Sequence, residues 1–242
     1  MEDLSQAFEE RLQEIETYLD LLESIQKQVQ GGSPQIGEST ITPQQQKILY
    51  SSVYLQLYNL VESTITRCVD AVSKAVVNNS SLPNELSIEL RREWVRCTAR
   101  THHNDLNDEK RLESALNLCD HLVQALPIST FELEKGGGGN WDDEEIYKLS
   151  KRLGLSLNIS RQANRAVKQP FRDEQGALSL IKSFRNKLAH GNLSFAESGN
   201  NITVSDLRDL TERTALYLRE VVNCFELSID AHEFLMPEKR PK

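Results

Sequence analysis

The spacing of apolar residues restricts this chain more than any other feature. Leu4, Phe8, Leu12, Ile15, Leu19, Leu22, Ile25 and Val29 step by three or four residues up to the Gly31–Gly32–Ser33–Pro34 break. That period lines one stripe of an α-helix and would scatter over both faces of a strand. The stripe is expected to pack on the chain's own core. Its near-heptad spacing would also suit a second chain.

Further helices follow from their start and stop signals. Thr42, Pro43 and Gln45 supply a cap, a first-turn proline and a capping-box partner for a helix running to about Asn78. Leu82–Pro83 opens a third helix containing ELSIELRREWVRCTAR, and Asn107 caps a fourth ending at Pro127. Asn140 or Asp142 starts a short, acidic-first helix closed by Gly154. A polar, basic connection leads to Pro170, then a helix over about 173–190 stops at Gly191. Beyond a strand-like NITV, Ser205 caps a last helix to about Leu235. Strands and helices do not alternate, so a parallel α/β sheet is excluded. The expected fold class is all-α, a bundle of about six to seven helices. It divides into an N-terminal helix over 1–30, a linker over 31–42, a helical domain over 43–236 and a tail over 237–242.

Composition limits what this bundle does. With 242 residues, 38% of them hydrophobic and 26% charged, the chain can bury one sizeable core. No stretch approaches the roughly 20 apolar residues that cross a bilayer, so no membrane partner is expected. The acidic opening MEDLSQAFEE resembles neither a secretory signal nor a transit peptide. Cys68, Cys97, Cys119 and Cys224 form no CxxC pair. That argues against structural zinc and against a disulfide framework, and suits reduced thiols in a cytoplasm. The formal charge is −8, but unevenly spread: residues 151–190 hold nine bases against Asp173 and Glu174, a local excess of +7 able to attract phosphates.

Most familiar catalytic patterns are missing. There is no GxSxG, no HExxH and no glycine-rich nucleotide fingerprint; the glycines at 136–139 lack a following Lys-Ser/Thr and read as a surface loop. Cys119 and His121, two apart, cannot share a helix face, so His121 is expected to be structural. His232 is expected at the surface. Trp94, Trp141 and the Tyr50/Tyr54/Tyr58 series sit at helical spacing and read as core.

One stretch remains, RNKLAHG at 185–191. Histidine before a C-capping glycine can be plain helix-end chemistry, because protonated imidazole and basic side chains suit the negative end of a helix. The bare arginine-to-histidine spacing recurs from Arg96 to His102 or His103, a decoy whose histidines are expected at the surface of a helix end. The fuller text, KSFRNKLAHGNLSF, resembles the hallmark segment of the HEPN superfamily: an arginine, a polar residue that is often asparagine, a short gap, then a histidine near the end of a helix. The similarity extends through SFAESGNNITVSDLRDLTERTALYLREVV, 194–222, and more faintly to GNWDDEEIYKLSKRLGL, 139–155, and LPNELSIELRREW, 82–94. It covers most of 45–230, leaves out the first 30 or so residues, and is nearest the branch found in bacterial restriction and phage-defence loci.

The resemblance implies a helical bundle that dimerises with its two motifs facing across a two-fold axis. It also implies metal-independent ribonuclease activity, or, in relatives that have lost catalysis, a subunit binding a partner protein or nucleotide. An RNA substrate, a homodimer, an antitoxin or defence partner protein and no cofactor are therefore expected. Arg185, Asn186 and His190 become the candidate catalytic set, with Lys182 and Lys187 as contacts to RNA phosphates and no metal ligand. Arginine offers a permanent charge and a donor fork to phosphate. Histidine transfers protons near neutral pH. On an ideal helix Asn186 and His190 lie about 40° apart and Arg185 and His190 about 140° apart. A side chain bent across the surface, a distorted helix end or a second motif from a partner would bring arginine and histidine to one phosphate.

Overall fold

A computed structural model describes residues 3–29, 31–99, 107–136 and 139–241. Among them run nine α-helices and one two-stranded hairpin. Three long helices form the spine: α1 (Leu4–Val29), α2 (Pro43–Asn78) and α9 (Val204–Asp230). Seven of the eight apolar positions read from the first helix are buried; Val29, at the last turn, is exposed. Six of them, Leu4 to Leu22, enter the same core as α2 and α9.

Polar contacts fix the directions. Arg11 donates to Asn59 and Tyr18 to the Leu49 carbonyl, so α1 and α2 are antiparallel. Ser5 donates to Glu226, Arg219 grips Glu9 with two nitrogens, and Arg208 reaches Asp20 and Glu23, so α1 and α9 are antiparallel as well. These pairs are largely exposed and set register more than stability. Between α1 and α2, the segment expected as a linker carries β1 (Gln35–Ile36) paired with β2 (Ser39–Thr40).

Six shorter helices pack around the spine: α3 (Ile88–Thr98), α4 (Asp108–Val123), α5 (Asp143–Leu153), α6 (Arg161–Lys168), α7 (Ala177–Ala189) and α8 (Phe195–Ser198). The Thr42–Gln45 capping box, the Asn107 cap, the Asp142 cap and the left-handed Gly154 end all stand where their residues place them. Several local readings are corrected. The third helix begins at Ile88 under a Ser87 cap, because Leu82–Leu86 form a turn whose Leu82 amide donates to Glu85. The basic connection before Pro170 contains α6, capped by Ser160, with only Ala163 and Val167 to bury; two apolar positions are too few for a visible period. The helix expected from 173 starts at Ala177, since Asp173 and Glu174 both adopt left-handed backbone. NITV is no strand: Ile202 is buried, and Thr203 caps α9 through a reciprocal box with Asp206, in place of Ser205. The helix α9 also ends earlier than expected, at Asp230, with His232 left-handed beyond it. No helix of the described residues is long and apolar enough to cross a membrane.

Candidate active site

The motif closes α7. Leu178, Leu180, Ile181, Phe184 and Leu188 are buried, anchoring the helix inward. Phe184 stacks on Tyr54 of α2, with ring centroids 4.4 Å apart. Anchored so, α7 leaves Arg185 and Asn186 half-buried, and Lys187 and His190 exposed. Its end is a Schellman turn. Gly191, at φ 69°, donates to the Leu188 carbonyl, and Asn192 donates to Lys187. His190 is the C-cap at the carbonyl end of the helix. No hydrogen bond to the His190 imidazole is found among the described residues.

Arg185 is seated from two sides. Its guanidinium carbon lies 4.4 Å from the centre of the Tyr58 ring, and its Nη1 donates to Asn186 Oδ1 at 2.8 Å. Asn186 in turn donates to Asn140 Oδ1 at 2.6 Å, tying α7 to the segment before α5. The Tyr58 hydroxyl donates to the Gly139 carbonyl and accepts from the Trp141 amide, so the ring beneath the arginine is fixed at its far end. Burial pushes the Tyr58 phenol up, and the Trp141 amide and Arg185 partly oppose that. Gly139, at φ 73°, adopts left-handed backbone that strains other residues, and a β-carbon there would stand 3.3 Å from Arg185 Nη2. The guanidinium keeps donors to spare for an anion, and its neighbour Asn186 spends its carboxamide on holding it.

Of the five expected site residues, Arg185 and Asn186 are in direct contact. His190 stands about one and a half turns further on, at the exposed helix end. Lys187 is exposed, its Nζ 5.6 Å from the centre of the Phe184 ring. Lys182 forms an ion pair with the buried carboxylate of Asp142, and an RNA phosphate would have to compete with that carboxylate. Asp142 also caps α5, accepting from the Glu145 amide at 2.9 Å.

Tyr58, Gly139 and Asn140 escaped the sequence reading. Tyr58 reads as core, and it is buried, yet its face supports Arg185. The only signal was the faint similarity of the segment beginning Gly139–Asn140–Trp141. Elsewhere, His121 sits edge-on to Trp94 at 5.7 Å between centroids, with Nδ1 3.2 Å from the Leu126 carbonyl, a packing role. His232 is half-buried against Phe234, not fully at the surface as expected; the left-handed turn after α9 folds it back. The decoy histidines His102 and His103 lie outside the described residues. Among the described residues no three His, Cys, Asp or Glu side chains stand together as a metal site.

No curated protein and no solved structure matches the chain. One family model does, over residues 1–234, and so takes in α1 as well as the motif. With a helical fold around a helix-end RNKLAH and a match across nearly the whole length, the chain belongs to the MAE_28990-like HEPN family.

Proposed function

We propose that the chain is a metal-independent endoribonuclease acting in phage defence or as a toxin, with a composite site built across a homodimer. The observation that carries this reading is the seat of Arg185, a guanidinium held by Tyr58 and Asn186 on the same helix that ends at an exposed histidine. In the reaction the RNA 2′-oxygen attacks the adjacent phosphorus and the bond to the 5′-oxygen breaks. One proton leaves the 2′-hydroxyl and one reaches the departing 5′-oxygen. His190 serves as general acid or base, Arg185 neutralises the phosphorane, and Asn186 orients Arg185. Lys187 meets a neighbouring phosphate; Lys182 contributes through its pair with Asp142. The products carry 2′,3′-cyclic phosphate and 5′-hydroxyl ends, and DNA is spared.

Expression of the chain is expected to arrest growth, and His190→Ala to relieve the arrest by at least 100-fold in surviving cells while leaving the melting temperature unchanged. The purified protein should cut RNA in EDTA. Equal toxicity of the variant, or DNA cleavage at a comparable rate, would instead favour a non-catalytic subunit that binds a partner. The composite site has its own test. Arg185→Ala and His190→Ala chains, each inactive, should recover about a quarter of wild-type activity when mixed and allowed to exchange, since half the dimers then hold one intact pair. Failure to recover would confine arginine and histidine to one subunit.

A further inference from the structure

We infer that α4 is an interface between two copies of this chain, paired antiparallel about Cys119. The helix α4 buries none of its residues. Only Ser114, Leu118 and His121 are half-buried, and they form the side that meets α3. The outer side is apolar: Leu112, Leu116, Leu122 and Val123 are 59%, 56%, 51% and 84% exposed, with Ala115 and Cys119 exposed between them and Leu126 just beyond the helix. Within the helix, positions 112, 115, 116, 119, 122 and 123 follow heptad-like spacing, so these side chains form a single stripe. A solitary surface leucine needs no explanation, whereas a stripe on the order of 500 Å² marks a contact site.

Three features favour a second copy as the occupant. Over 115–123 the stripe is symmetric about residue 119: reversed, Ala115 falls opposite Val123 and Leu116 opposite Leu122. A two-fold interface needs that self-complementarity. Within the helix the reversed pairing sets no acid against an acid, because Asp120 falls opposite Leu118. The area suffices as well, since two such faces together bury roughly 1,000 Å², the lower bound of a specific interface. A lipid surface fits poorly, because the polar residues of α4 include Asp108, Glu109, Glu113 and Asp120 against Lys110 and Arg111, and interfacial helices carry basic polar faces. This surface is independent of the motif and of any dimer formed through α7.

The test uses the full-length chain. Mild oxidation of the wild type should give a covalent dimer that Cys119→Ser abolishes, the other three cysteines being buried or half-buried. The double variant Leu116→Glu, Leu122→Glu keeps Cys119 and alters only exposed positions. It should halve the molar mass measured by light scattering and cut the crosslink yield at least tenfold, with an unchanged melting temperature. In a Cys119→Ser background, Leu116→Cys chains should crosslink to Leu122→Cys chains and neither to itself. An unchanged mass and crosslink yield in the double glutamate variant, or self-crosslinking of Leu116→Cys alone, would overturn the proposal.

Discussion

Arg185 shows how a long, charged side chain becomes fixed. Free in water, it would sample many rotamers; over the Tyr58 ring and against Asn186 it has one seat. A cation over an aromatic face is stabilised by about 0.5–2 kcal/mol, depending on how far the pair is desolvated. Tyr58→Leu should therefore lower kcat for RNA cleavage about tenfold with little change in KM, and Tyr58→Phe, which keeps the ring, should lose much less. Steady-state kinetics on protein of checked melting temperature would show this; equal losses in the two variants would point to the hydroxyl instead. The motif residues were legible because they are contiguous, at 185–190. Their supports were not, because Tyr58 and Asn140 lie far away in sequence and only packing brings them near. The same holds for Lys182, a free base in the sequence whose ammonium is claimed by Asp142, 40 residues earlier.

Caps were the readable part of the elements. Thr42 with Gln45, Asn107, Asp142 and Gly154 each announce a helix end by chemistry confined to four residues. Signals failed where an element was too short for a period, as in α6, or where two candidate caps stood close together, as with Thr203 and Ser205 ahead of α9. Asp142 does more than a cap, because one oxygen holds the first turn of α5 and the other holds Lys182 of α7. Asp142→Ala should destabilise the protein by about 1–2 kcal/mol, the usual loss for an N-cap. Asp142→Asn keeps a capping oxygen, and its loss should stay below about 1 kcal/mol. Urea unfolding curves would separate the two.

At the level of the molecule, α1, α2 and α9 share one core, and the apolar stripe of α1 leaves nothing for a separate unit to bury. The tyrosines of that core make a further property predictable. Burial pushes the Tyr54 phenol up to about 12 and raises Tyr18, Tyr50, Tyr58 and Tyr217 as well. An unfolded tyrosine ionises near pH 10, so above that pH the folded state holds protons that the unfolded chain releases. Stability is therefore complete below about pH 10 and falls as pH rises towards 12. Spectrophotometric titration should find these five of the six tyrosines un-ionised past the midpoint seen in denaturant, and then ionising as the fold is lost.

The turn at Gly191 has a mechanical consequence. The imidazole hangs from the final coil of α7, which is tied off by two backbone bonds, whereas the guanidinium rests on a ring belonging to the 36-residue α2. Fraying of that coil carries position 190 away and leaves position 185 where it was, so the two halves of the motif answer to separate thermodynamic supports. A clutch of this sort disengages one partner while the other stays in gear.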